Sequence, residues 1–235
     1  MNTVEVCLTP ELIHQFDLTG KIVVAVDIFR ATSCMVSGMA TGVKAIYPVA
    51  QVDECFALGK EGKIMAGERG GIKVEGFGIG NSPFEYMSEK AANKEVAVTT
   101  TNGTQAIVRS IGADEILIGA FLNIGALVRH IGRSKKDVII HCAGWKGTVN
   151  LEDTLFAGAL TDKLNKTHKI CGDSAFLAKG TYDLHKSDLL SAARSSAHAH
   201  RLSKFGVEKD IDFCMKQDQF DVVPAYLDGK ITNLN

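Results

Sequence analysis

The sequence lacks the patterns that announce the commoner function classes, and each absence removes one. Six cysteines (Cys7, Cys34, Cys55, Cys142, Cys171 and Cys214) include no Cys-x-x-Cys pair, which argues against a structural zinc site. At 235 residues, with no basic stretch leading into an apolar run at the N-terminus, a disulfide framework is not expected either. The cysteines read as those of a reduced, cytoplasmic protein, with Cys34 and Cys142 as small packing residues close to site loops. No His-Glu-x-x-His cluster, Gly-x-Ser-x-Gly elbow or Gly-x-x-x-x-Gly-Lys-Ser/Thr loop occurs, so zinc protease, serine hydrolase and P-loop readings fall away. Apolar runs break after a few residues and none approaches a membrane-spanning length. Charge is nearly balanced, 26 basic against 27 acidic residues for a formal net charge of −1. That leaves no field to favour nucleic acid or an anionic membrane as partner.

What is present is ordinary globular composition, 46% hydrophobic and 23% charged, enough for one sizeable domain. Short β-branched runs alternate with helical segments from residue 21 to about residue 165. The runs KIVVAVDI, KAIYPVA, KIMAGERGG, KEVAVTTT, DEILIGAF and DVIIHCAG read as strands. ATSCMVSGMATG, VDECFALGKEG, FEYMSEKAAN, GTQAIVRSIG, NIGALVRHIG and LEDTLFAGALTDKL read as helices, and Thr9-Pro10 as a helix start. The alternation predicts an α/β fold: a mostly parallel sheet between helical layers, three layers in all. A mainly helical part follows residue 173, and DVVPAYLDGKI closes the chain as a short strand and turn. With no composition shift to mark a linker, residues 1–235 are taken as one domain, a two-subdomain split being left open. A faint internal echo relates VVAVDIFRATS and its sequel to VAVTTTNGTQ and its sequel, which suggests several strand-to-helix loops opening on one edge of the sheet.

Four loops carry chemistry. Asp27 and Arg30 follow the first strong strand, where ligands bind in open α/β sheets. Asp27 is placed to ligate Mg²⁺, to act as nucleophile or base, or simply to cap the next helix; Arg30 is placed to clamp an oxyanion or to pair with Asp27. Glu68 and Arg69 sit in the glycine-rich AGERGG, followed at once by a second glycine-rich stretch that is long for a connection. Thr101, Asn102, Gly103 and Thr104 lie between a strand and a helix, where hydroxyls and amides suit phosphate, or else make an ordinary turn with Thr104 as cap. Glu152 and Asp153 open a helix, favoured there by its dipole and also available to a metal. His141 reads as a packed strand residue, while His198 and His200, two apart, are poorly spaced for two ligands on one helix face. A phosphoaspartyl mechanism of the haloacid dehalogenase type wants a second aspartate two positions after Asp27, where Phe29 stands.

Asp27-Ile-Phe-Arg-Ala-Thr, Gly67-Glu-Arg-Gly-Gly, Gly80-Asn-Ser-Pro, Thr99-Thr-Thr-Asn-Gly-Thr and Leu151-Glu-Asp-Thr occur in that order, each at a loop. In this the chain resembles the 2-phosphosulfolactate phosphatase (ComB) family over nearly its whole length. Ser196-x-His198, Arg201-Leu202, Asp210, Cys214, Asp218 and Val223-Pro224 fit the same pattern, with Ala199 standing where a glycine is expected. The resemblance implies a Mg²⁺-dependent phosphatase with an α/β fold. It would convert (2R)-2-phospho-3-sulfolactate to (2R)-3-sulfolactate and phosphate, a step of coenzyme M biosynthesis, or act on a related 2-phospho-2-hydroxy acid.

On that reading Asp27, Glu68 and Arg69 are catalytic, and Asp27, Glu68, Glu152 and Asp153 supply the metal. Arg30, Arg69, Ser82, Thr101, Asn102, Gly103 and Thr104 hold the substrate, a small phosphorylated sulfonate or hydroxy acid. Direct attack by water is preferred over a phosphoenzyme, and a homodimer is expected as the commonest state of such enzymes. Two rivals use the same residues: a Mg²⁺-dependent lyase or aldolase on a small anionic acid, and a non-catalytic binder of phosphorylated metabolites.

Overall fold

In the computed structural model, which describes residues 1–234, the strands are β1 (Asn2–Cys7), β2 (Ile22–Val26), β3 (Ala45–Pro48), β4 (Ile64–Arg69), β5 (Ile72–Lys73), β6 (Glu95–Thr99), β7 (Glu115–Gly119), β8 (Val138–Cys142), β9 (His168–Ile170), β10 (Pro224–Leu227) and β11 (Lys230–Asn233). The helices are α1 (Ala31–Ala40), α2 (Val52–Lys60), α3 (Pro83–Tyr86), α4 (Gly103–Val108), α5 (Ile124–Ser134), α6 (Leu151–Leu164), α7 (Asp173–His185), α8 (Leu189–Arg194), α9 (Ala197–Ser203) and α10 (Glu208–Cys214). Two 3₁₀ turns stand at Pro10–Gln15 and Phe121–Asn123.

The described strands form one mixed, mostly parallel sheet in the order β5-β4-β6-β3-β11-β10-β7-β2-β8-β1-β9. The parallel set β7-β2-β8-β1-β9 makes one part, and the parallel set β4-β6-β3 another. Between them lies the antiparallel C-terminal hairpin, β10 on β7 and β11 on β3. Three antiparallel steps in succession reverse the sense of one set relative to the other. A flat sheet of this order would place their carboxyl ends at opposite edges. Sheet twist, about 20–25° per strand step, and a β11–β3 joint one residue pair wide at Ile231–Ile46 relieve that constraint.

β2 is wholly buried, as a parallel strand covered on both faces must be. α1 is buried on nearly all sides, and its polar members are satisfied locally. Ser33 and Ser37 donate their hydroxyls to the carbonyls of Ile28 and Ser33, at 2.9 and 2.7 Å, so burial leaves no orphaned group. The main core runs through both strand sets and includes Phe121, Phe156, Leu117 and Ile231.

Three sequence expectations need correction. The helix predicted over FEYMSEKAAN is only the turn Pro83–Tyr86. The Ser88 hydroxyl closes onto the Glu85 carbonyl at 2.6 Å, and Asn93, at φ 60°, turns the chain toward β6. Thr9 makes no side-chain cap, and Pro10 opens a 3₁₀ turn in place of an α-helix. The closing strand and turn is a full hairpin in the middle of the sheet. None of the described helices is long and apolar enough to cross a membrane.

Candidate active site

A cleft of about 230 Å³ is lined by Asp27 and Arg30 from the end of β2, Glu68, Gly70 and Gly71 from β4 and its turn, and Asn102 before α4. Trp145, His198, Arg201 and Lys204 close its other wall. The loops after β2, β4, β6 and β8 thus meet α9 at one place.

Asp27 Oδ1 accepts the Ala31 amide at 3.3 Å, and the Asp27 amide donates to Thr32 Oγ1 at 3.0 Å. The aspartate therefore holds the start of α1 while it also lines the cleft. Burial pushes Asp27 up to about 6; nearby His198 opposes the shift, and Glu68 and Glu152 add to it. Arg30 does not pair with Asp27. It is buried, with Nη1 held in an ion pair by Asp210 Oδ2, while Asp210 Oδ1 accepts the Ser82 hydroxyl at 2.9 Å. Ser82 therefore acts two bonds behind the cleft and not in it. Arg30 Nε is buried without a partner, a donor free for a ligand.

Glu68 points into its own loops. Oε1 accepts the Thr101 amide at 2.8 Å, and Oε2 accepts the Gly71 amide at 2.6 Å and the Thr101 hydroxyl at 3.2 Å. It ties the β4 turn to the loop after β6. That loop is correspondingly less open to phosphate than expected. The Thr101 amide is taken by Glu68, and Thr104 exchanges bonds with Thr100: its amide reaches Thr100 Oγ1 at 3.1 Å. Among the four candidates, Asn102 alone lines the cleft. Gly103 has a different use, since a Cβ there would stand 2.7 Å from Asp27 Oδ2 and 2.5 Å from Ala31 Cβ; its bareness makes room for Asp27.

Arg69 turns away. As the next residue along a strand from Glu68 it faces the other side, where Nη2 reaches Thr99 Oγ1 at 2.7 Å and the Ala50 carbonyl at 3.3 Å, and Nη1 its neighbour's carbonyl at 2.8 Å. It braces strand ends and is absent from the cleft lining.

The four carboxylates expected around a metal divide in the same way. Asp153 spends both oxygens on backbone, accepting the Ile28 amide at 2.9 Å and the Gly144 amide at 3.1 Å. Burial, then Glu152 and Asp27, push it well above the carboxylate range. Glu152 Oε1 lies 2.7 Å from His198 Nδ1, and its Oε2 is buried without a donor. Among the described residues no three His, Cys, Asp or Glu side chains gather closely enough to cage a metal alone. The residues nevertheless fit Mg²⁺, which takes one or two carboxylates and completes its shell with ligand oxygens and water. Asp27 and the free oxygen of Glu152 offer that much, in a buried acidic group short of countercharge.

The second wall was missed as a wall. His198 Nδ1 is turned to Glu152 and to the Asn150 amide nitrogen at 3.2 Å, leaving Nε2 as the nitrogen a ligand can use. His198, Arg201 and Lys204 are spaced by three along α9 and its cap, a spacing that shares one helix face. That spacing was the available signal, obscured by the pairing of His198 with His200. His141, by contrast, is the packed residue expected: Nδ1 meets Ser110 Oγ at 2.8 Å, and burial followed by Arg109 lowers it to about 4. Cys34 and Cys142 are buried and free.

A mixed, mostly parallel α/β sheet whose loops gather acids, a buried arginine and a histidine–carboxylate pair defines an α/β protein with a candidate active-site cleft. Comparison with known proteins gives the family: the chain belongs to the 2-phosphosulpholactate phosphatase family, matching it over residues 7–229. Relatives named "Probable 2-phosphosulfolactate phosphatase" include one from Caldanaerobacter subterraneus subsp. tengcongensis, 38% identical over 224 residues and 92% of each chain. One from Thermotoga maritima is 38% identical over 209 residues, 89% of this chain and 90% of its own. One from Clostridium beijerinckii is 32% identical over 235 residues, 97% of this chain and 98% of its own.

Proposed function

We propose that this chain is a Mg²⁺-dependent phosphatase that hydrolyses (2R)-2-phospho-3-sulfolactate, or a closely related 2-phospho-2-hydroxy acid, to the hydroxy acid and inorganic phosphate. Family membership supports the reaction class. The observation that carries it to this cleft is Arg30, a buried guanidinium fixed by Asp210 with an unpartnered Nε, lining the same cleft as Asp27 and the His198 that Glu152 holds. A fixed cation beside acids suits an ester that arrives as an oxyanion and reacts with gain of charge at its leaving oxygen.

Asp27 and Glu152 are the side chains that would hold Mg²⁺, which when bound supplies charge neutralisation at the phosphoryl oxygens. Arg30 grips a non-bridging phosphoryl oxygen. Water attacks phosphorus, one P–O bond forming as the bond to the C2 oxygen breaks. Direct attack is preferred because the partner acid of the Asp-x-Asp type is absent. His198, oriented through Nδ1 by Glu152, is placed to move a proton between the reacting oxygens and its Nε2.

Inorganic phosphate release tests this, with 2-phosphosulfolactate, 2-phospholactate and 2-phosphoglycolate as substrates, each with Mg²⁺ and with EDTA. The reading expects EDTA-sensitive release, fastest with the sulfonate compound. No release from any substrate would overturn it and favour the lyase or binding alternatives.

A further inference from the structure

Among the described residues Arg201 is a guanidinium whose Nε and Nη2 meet no acceptor. Its planar group lies over the Trp145 indole, 4.6 Å from the ring centroid, and lines the cleft. Nε and Nη2 are both buried and without a partner. No carboxylate pairs with it among the described residues. Desolvating charged donors without an acceptor is unfavourable, and such groups in native proteins usually await a ligand or water.

Its mounting is rigid. Trp145 is pinned by a tight turn, its amide donating to the Thr148 carbonyl and its carbonyl accepting the Thr148 amide, each at 2.9 Å, and its other neighbour is the His198 ring at 5.6 Å. Lys204, one turn further along α9, lines the same cleft. Arg30 stands at the β2 end of the cleft, and its Nη1 is already committed to Asp210. The cleft therefore has two cationic poles. Asp27 and Glu68 also line the cleft, but among the described residues no carboxylate pairs with Arg201 at the second pole, on α9.

We propose that Arg201, supported by Lys204, is the subsite for the substrate's second oxyanion, the acid group that does not react, and so sets selectivity for poly-anionic phosphate esters over simple ones. This rests on the phosphatase reading and takes over the second-arginine role that the sequence assigned to Arg69. A guanidinium stacked on an aromatic face presents its edge donors in a plane, which matches carboxylate or sulfonate oxygens two at a time.

The test compares wild type with Arg201→Met, which keeps the stem against Trp145 and removes the donors, on four esters. 2-Phosphosulfolactate carries both further acids, 2-phospholactate the carboxylate alone, the phosphate ester of 2-hydroxyethanesulfonate the sulfonate alone, and isopropyl phosphate neither. The expected result is a loss of roughly 100-fold in kcat/KM, mainly through KM, on esters whose second acid Arg201 reads, with isopropyl phosphate changed by no more than about twofold. Whichever single-acid ester shows the loss identifies the group. Equal loss on all four, or no loss on any, overturns the subsite. Binding of (2R)-3-sulfolactate, which has no ester to cleave, separates this from failure of the phosphatase reading. Thermal stabilisation of wild type that Arg201→Met abolishes supports the subsite even if no ester turns over; stabilisation unchanged in the variant counts against it.

Discussion

Asp27 is a carboxylate held where ionisation is unfavourable, and that has a measurable sign. Its folded-state value of about 6 lies above the ordinary 3.8, so the neutral form is favoured by folding. The associated stability is present below about pH 4 and is lost as pH rises through about 6. In metal-free protein, Asp27→Asn is therefore expected to raise stability by on the order of 2–3 kcal/mol near pH 8 and by little near pH 4, while phosphate release falls by at least about 100-fold. Thermal denaturation in EDTA at the two pH values checks the first part; a gain independent of pH would contradict the charge argument. At this scale the sequence was legible in kind and not in direction. Asp27 and Arg30 follow a buried strand, and both line the cleft. Arg69 and Asp153 are the right residue types beside the right neighbours, yet one faces away along the strand and the other is consumed by the amides of Ile28 and Gly144. Those partners are 125 and 9 residues distant, and nothing local announces the first.

The elements that place these residues are the two connections that cross the hairpin. β2–α1–β3 leads from the larger strand set to the smaller, and β6–α4–β7 leads back. The faint sequence echo falls on these two crossovers, and they touch at their helix starts, where Gly103 packs on Asp27 and Ala31. Alanine is the better helix former, yet Gly103→Ala is expected to cost about 1–3 kcal/mol through overpacking. It should also lower phosphate release sharply by displacing the Asp27 carboxylate. Chemical denaturation with a parallel rate assay checks both, and a stabilised, fully active variant would remove Gly103 from the account. The helices α1, α2, α5 and α6 were readable because their boundary signals are local, such as the acids in the first turns of α2 and α6 and Gly42, at φ 97°, just past α1. α9 was read as part of one helical tail, but its cleft-facing set of His198, Arg201 and Lys204 emerges only when the face is traced at intervals of three.

Over the whole molecule, the C-terminal hairpin joins two parallel strand sets of opposite sense. Its turn, Asp228 at φ 49° and Gly229 at φ 83°, is of the left-handed kind that an Asp-Gly pair favours, so the hairpin itself was within reach of the sequence. Its insertion between β3 and β7 was not, because partner choice across more than a hundred residues leaves no periodic trace. Ile231, fully buried and opposite Ile46, is the joint. Ile231→Ala is expected to destabilise by about 2–4 kcal/mol and to speed hydrogen exchange in both β3 and β7. Exchange altered in β11 alone would mean that the two sets are held together elsewhere.

In the proposed mechanism, water attacks phosphorus in this cleft. Turnover of 2-phosphosulfolactate with Mg²⁺ in ¹⁸O-labelled water, followed by mass analysis of both products, tests it most directly. One solvent oxygen is expected in the phosphate released and none in the sulfolactate. Phosphate released without solvent oxygen would show that the carbon–oxygen bond breaks instead, and the phosphatase mechanism would be wrong.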